Sequence, residues 1–143
     1  SMGYGIPAAV TASILFPERL VIGFVGDGGF LMSGLELGTA MQYNAKPIII
    51  IFNNENYGTI RMHQEREYPG RVYGTNLKNP DFCALGASFG AFTQHVNGTK
   101  DFIPAVKKAI DSKKMSLIEL SVEKNQLSTR LHLDDIKKKD SNG

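Results

Sequence analysis

The chain has 143 residues, 42% of them apolar and 21% charged, with a formal net charge of +2. That composition and length suit one globular domain and exclude an intrinsically disordered chain. The longest apolar run, Ile48 to Phe52, falls far short of the roughly 20 residues a membrane-spanning helix needs.

The first predicted element is a helix over Pro7 to Ile14, small and apolar, with proline in its first turn. Leu20 to Val25 reads as a strand buried on both faces and ending in Gly26-Asp27-Gly28-Gly29. Ser33 to Tyr43 reads as a helix, with Ser33 as N-cap, Glu36 completing a capping box, and Leu35, Ala40 and Tyr43 on one face. Pro47 to Phe52 is a second buried strand, stopping at Asn53-Asn54. Residues 55–79 carry no clear period. Asn79 or Asp81 starts a helix that runs to Phe89 and is ended by Gly90. Phe92 to Val96 is a short strand, Lys100 or Asp101 opens a helix to Ile110, and Leu117 to Val122 is the last strand. Alternating helices and continuous apolar strands predict an α/β fold: a doubly wound parallel sheet with helices on both faces. The sheet is expected to be incomplete at the N-terminus. The predicted division is a binding domain over 1–123 and a polar, fraying tail over 124–143.

Charge narrows the partners. Residues 1–123 hold eleven basic and eleven acidic side chains, and the excess sits in the tail. A neutral body lacks the dense basic face of a nucleic-acid binder, and Lys137-Lys138-Lys139 is read as a solvated run. The single cysteine, Cys83, excludes an internal disulfide framework and a multi-cysteine zinc site, and suits a reducing cytoplasm. It is expected to be buried and inert beside Phe82 and Leu85. The expectation is therefore a cytoplasmic protein with neither nucleic acid nor membrane as partner.

In a doubly wound sheet, ligands bind beyond the carboxyl ends of the strands. Two of those ends carry unusual polar residues, Gly26-Asp27-Gly28-Gly29 and Asn53-Asn54-Glu55-Asn56. If their strands are neighbours, Asp27 and Asn54 converge. One carboxylate, one amide oxygen and backbone carbonyls form an all-oxygen site of the kind Mg²⁺ prefers, commonly shared with phosphates. The glycines beside Asp27 leave bare N–H groups for an anion. The reading is a Mg²⁺–phosphate anchor. Gly3-Tyr4-Gly5-Ile6-Pro7-Ala8 fits a dinucleotide fingerprint only superficially, because no strand precedes it.

The spacing carries more information than either motif. Gly26-Asp27-Gly28, then 25 residues, then Asn54 resembles the signature of thiamine diphosphate (ThDP) enzymes. Ser1-Met2-Gly3-Tyr4-Gly5-Ile6-Pro7-Ala8-Ala9, the Gly29-Phe30 and Glu36-Leu37 pairs, and Asn79-Pro80-Asp81-Phe82 are similar to the acetolactate-synthase-like group. The resemblance covers residues 1–123. It implies that Asp27, Asn54 and the Asn56 carbonyl ligate Mg²⁺. It also implies that Gly26, Gly28, Gly29, Tyr57 and Gly58 lie along ThDP, and that Met2 props the cofactor in its bent form. The implied reaction is decarboxylation or carboligation of a 2-oxo acid, with the cofactor carrying the carbanion chemistry.

Two departures qualify it. The family's activating glutamate lies in a separate pyrimidine-binding domain, which no part of this chain matches. No catalytic residue is therefore assigned, and the chain is expected to be inactive alone, as a fragment or a subunit. Its expected partner is a second copy or another chain carrying the glutamate. Apolar surface near Met2, Phe30 and Met32 is expected to be exposed where that domain would sit. The second departure is His63, which stands where biosynthetic acetolactate synthases carry tryptophan, and it is read either as an acid–base or substrate-contacting group or as a loop histidine hydrogen-bonded locally. Arg61, Arg66 and Arg71, around Tyr68-Pro69-Gly70, are read as a subunit contact or a solvated loop. The alternative to the enzyme is a non-catalytic α/β module holding Mg²⁺ and a phosphorylated ligand through Asp27.

Overall fold

A computed structural model of the chain describes residues 1–128 and 131–140. Helix α1 (Gly5–Leu15) leads into strand β1 (Ile22–Gly26), and α2 (Asp27–Ser33) follows without a loop. A single 3₁₀ turn over Gly34–Glu36 joins α2 to α3 (Leu37–Gln42), and β2 (Ile48–Asn53) comes next. The remaining elements are α4 (Gly58–Glu67), α5 (Phe82–Ser88), β3 (Phe92–Val96), α6 (Thr99–Ser112), β4 (Ser116–Ser121), a short hairpin β5 (Gln126–Ser128) and β6 (Leu131–His132), and α7 (Leu133–Asp140).

The main sheet is parallel throughout, in the order β1-β2-β4-β3. The chain moves across the sheet from β1 to β3 and then steps back to β4. A right-handed crossover in the reverse direction must place its helix on the opposite face. The core divides accordingly. Ile6, Ala9 and Val10 of α1, Leu37 and Ala40 of α3, and Phe82 of α5 pack with Val25, Ile49, Ile51 and Leu117 on one face. Ala105 and Ala109 of α6 pack with Ile48, Ile50, Val96 and Ile118 on the other. Gly23 lets α1 lie close to β1, since a Cβ there would stand 2.9 Å from the Ala9 Cβ. The predicted α/β class and parallel sheet with helices on both faces are observed.

Several local expectations are corrected. The first strand is an edge strand whose second face is bare: Phe24 is 62% exposed, and Ile22 is exposed beside it. The predicted helix over Ser33–Tyr43 is broken, because the Ser33 hydroxyl donates to the Gly3 carbonyl at 2.6 Å instead of capping a helix. Leu35 and Tyr43 are exposed, and Leu37 shares the buried face with Ala40. Phe30 is buried edge-on against Phe82, at 5.0 Å between centroids, whereas Met2 and Met32 are exposed as expected. Asp81 caps α5, accepting from the Ala84 N–H at 2.8 Å.

The segment read as a polar tail holds the hairpin and α7, and Leu133 is fully buried. The side chains of Lys137, Lys138 and Lys139, and residues 141–143, lie outside the described residues. Among the described residues no helix is long and apolar enough to cross a membrane.

Candidate functional site: a cleft at the carboxyl ends of β1 and β2

Strands β1 and β2 are hydrogen-bonded neighbours, with Gly26 in register with Phe52. Their ends therefore open side by side into a cleft of about 910 Å³. Every residue that the resemblance assigns to the metal or the cofactor lines it: Met2, Gly26, Asp27, Gly28, Gly29, Asn54, Asn56, Tyr57 and Gly58. Phe24, Phe52, Ile60 and Met62 supply apolar wall, and Gln126 and Leu127 of the hairpin reach the rim.

Asp27 occupies the first turn of α2 and is 2% exposed. Its Oδ1 accepts from the Gly28 N–H at 2.9 Å, and its Oδ2 accepts from the Asn79 amide at 2.8 Å. No basic side chain pairs with it among the described residues. A buried carboxylate is costly unless it is paired or coordinates a metal. The Gly28 N–H, expected to be bare, is thus used within the chain. Gly28 is required for another reason: a Cβ there would stand 2.4 Å from the Tyr57 ring.

The loop after β2 turns sharply. Glu55 has φ +53°, and the Asn54 Oδ1 accepts from the Asn56 N–H at 3.2 Å, a local turn that sets the Asn54 oxygen. Asn56 is 3% exposed, and neither its side-chain oxygen nor its nitrogen has a partner. Orphaned buried polar groups are uncommon in native structures and call for an explanation such as a bound ion. Thr75 and Glu55 backbone carbonyls, accepting from Tyr57 and Leu77 N–H groups at 2.9 Å each, tie the loop to the segment after α4. Helix α4 opens at Gly58 without a side-chain cap, and Gly58, Thr59 and Ile60 line the cleft. Such an end combines free N–H groups with the positive pole of the helix dipole, both favourable to an anion.

The other sequence candidates fall elsewhere. His63 is exposed on α4, its Nδ1 2.6 Å from an Arg66 nitrogen, and is not among the residues lining the cleft. The helix turns Met62 inward and His63 away, so its candidacy as a substrate contact is not supported. Arg66 pairs with Glu67, and Arg71 lies over the Tyr68 ring. Cys83 is half-buried. Its thiol is pushed up to about 11, first by burial and then by the nearby Glu119 and Asp81 charges, which leaves it protonated and unreactive at neutral pH. Among the described residues Asp27 is the single carboxylate lining the cleft, and Glu36, Glu55, Glu65 and Glu67 are not among its lining residues.

A family model described as "Thiamine pyrophosphate enzyme, C-terminal TPP binding domain" matches residues 1–120. The chain belongs to this family. The mitochondrial acetolactate synthase of Schizosaccharomyces pombe is 34% identical over 126 residues, covering 88% of this chain and 19% of that protein. The large subunit of acetolactate synthase isozyme 2 from Escherichia coli is 32% identical, over 86% of this chain and 23% of that protein. Among solved structures, the thiamine diphosphate-dependent 4-hydroxybenzoylformate decarboxylase of Rhodococcus jostii RHA1 superposes with a TM-score of 0.81. It is 34% identical, over 89% of this chain and 24% of that one. The chain thus spans about a fifth of the curated relatives it matches. The TPP-binding family and the α/β fold of ThDP-dependent decarboxylases confirm the resemblance read from the motifs, and ThDP is the cofactor of this domain.

Proposed function

We propose that this chain is the diphosphate- and metal-binding part of a ThDP-dependent enzyme that decarboxylates or carboligates 2-oxo acids, with the remaining parts of the site contributed by another domain. The carrying observation is the buried Asp27 carboxylate, without a basic partner among the described residues, lining the same cleft as Asn56, whose buried side chain has no partner. The donor set fits a hard cation. The Asp27 carboxylate, the Asn54 Oδ1 and the Asn56 carbonyl are all oxygens and would hold Mg²⁺, which prefers such ligands shared with phosphate. Gly26, Gly28, Gly29, Tyr57 and Gly58 would lie along the diphosphate, with the uncapped end of α4 facing its charge. Met2 would support the cofactor from the cleft mouth.

When bound, ThDP supplies carbanion chemistry toward the 2-oxo carbon. The chain's own residues would anchor the diphosphate and neutralise it through the metal, with Phe24, Phe52, Ile60 and Met62 as apolar wall. Among the described residues no glutamate lines the cleft, and the acid–base group is assigned to a pyrimidine-binding domain outside these 143 residues, whether in the same polypeptide, a second copy or a different chain. Both decarboxylase and acetolactate synthase relatives carry this domain, so the reading stays at that class.

Calorimetric titration of ThDP in saturating Mg²⁺ tests the assignment. Asp27→Ala should weaken binding at least about 100-fold, equivalent to ~2.7 kcal/mol. Unchanged affinity would overturn it.

A further inference from the structure

Asn79 stands 52 residues after Asp27 and 26 after Asn53, yet one atom of its side chain meets both. Its Nδ2 donates to the Asp27 Oδ2 at 2.8 Å and to the Asn53 Oδ1 at 2.8 Å. Both hydrogens of the amide are thereby used. Asn53 continues the chain of bonds, its Nδ2 donating to the Glu119 Oε1 at 2.7 Å. Glu119 is 9% exposed and lies on β4, in the body of the sheet.

The chemistry of the two ends fixes the orientation of the middle. Ionised carboxylates accept and do not donate. Glu119 therefore compels Asn53 to turn its nitrogen toward β4 and its oxygen toward Asn79. Asp27 compels Asn79 to turn its nitrogen outward. The two amides, caught between two acceptors, have one arrangement that makes all three bonds, and it leaves the Asn79 Oδ1 buried without a partner. The Asn53 oxygen also accepts from the Glu55 N–H at 3.1 Å, so the same chain of bonds reaches the start of the loop that carries Asn54 and Asn56.

We infer that Asn79 is a positioning residue for the metal site. Together with Asn53 it clamps the Asp27 carboxylate, which lines the cleft, to the buried Glu119 of β4, holding the Asp27 Oδ2 while the Oδ1 accepts from the Gly28 N–H. This rests on the reading of Asp27 as a cation ligand. Partners that orient a ligand in this way typically change metal affinity 10–100-fold when removed.

The test uses the 143-residue chain with Mn²⁺ in place of Mg²⁺ and ThDP present, reading bound Mn²⁺ by electron paramagnetic resonance. Asn79→Ala should weaken Mn²⁺ binding about 10-fold or more, within the range for such partners. Asn53→Ala should do the same, and the double variant should be scarcely weaker than either single one, because the two amides act through one chain of bonds. Asn79→Gln, which keeps the donor, should recover part of the loss. Circular dichroism should show each variant folded. If the wild-type chain fails to bind Mn²⁺ with ThDP, the cation-site reading fails. If the wild type binds and folded Asn79→Ala binds equally well, the positioning role alone is overturned. If Asn79→Ala does not fold, Asn53→Ala decides, and unaltered affinity in that folded variant overturns the inference.

Discussion

The two sides of the sheet are built to different ends. On the β3–β4 side, helices α5 and α6 cover both faces, and Leu117 and Ile118 are fully buried. The carboxyl ends of those strands satisfy their own side chains, with His95 2.8 Å from the Ser121 hydroxyl, which donates to Asn97 at 3.1 Å. On the β1 side one face is covered and the other presents Ile22, Phe24 and Phe52, the two phenylalanine rings 6.1 Å apart. There the strand ends carry a buried carboxylate and an orphaned asparagine. The closed side supplies stability. The open side leaves the Asn56 side chain unpaired and the hydrogen-bonded Asp27 carboxylate without a basic partner among the described residues, a local violation of folding rules that marks functional sites.

The largest effect should come from the closed side. Ile118→Ala removes a fully buried side chain and should cost about 2–5 kcal/mol, whereas Phe24→Ala on the open face should cost less than about 1 kcal/mol. Guanidinium unfolding measures both, and equal losses would erase the distinction. Light scattering sharpens it: the bare face should drive association of the chain, and Phe24→Ser should raise the monomer fraction.

Gly28→Ala probes the seam between the motifs. The new methyl meets the Tyr57 ring at 2.4 Å, and such overpacking should cost about 1–3 kcal/mol. Thermal unfolding checks the cost. ThDP affinity should fall as Tyr57 is pushed into the cleft. A variant with native stability and affinity would show that the cleft has slack the geometry does not display.

The smallest effect is expected at the hairpin. The His132 pKa is raised above its ordinary value of 6.5, chiefly by its hydrogen bond to Glu123, with the Glu123, Asp134 and Asp135 charges adding to it against a lowering by burial. A raised folded-state pKa means a contribution fully present below about pH 6.5 and lost as pH rises through the raised value. Hydrogen exchange at the Leu133 N–H, which donates to the Asn125 carbonyl at 2.9 Å, should show protection falling over that window. His132→Asn should flatten the dependence.

What the residues disclosed follows the range of the interactions involved. Continuous runs such as Ile48 to Ile51 announce buried parallel strands, and adjacent strand ends bring Asp27 and Asn54 together without further information. The capping box at Ser33 failed because a contact with Gly3, 30 residues away, claims the hydroxyl. Helix α4 has Glu65 as its buried residue and shows no apolar stripe, so residues 55–79 offered no period to read. Phe24 looked like core because β1 is apolar, and nothing local to its sequence reveals an edge strand with a bare face. The clamp at Asn79 was visible only as part of a family motif, since its partners lie 26 and 52 residues away.

The central claim is that the metal and the cofactor occupy the open side as one unit, held through Asp27 and Asn54. Calorimetric titration of ThDP into the wild-type chain, with Mg²⁺ and then with the metal removed by chelator, tests it most directly. The account predicts saturable binding in Mg²⁺ and at least about 100-fold weaker binding without it, or ~2.7 kcal/mol. Equal affinity in both conditions would contradict it, because the diphosphate would then be held without the cation that the buried carboxylate is arranged to bind.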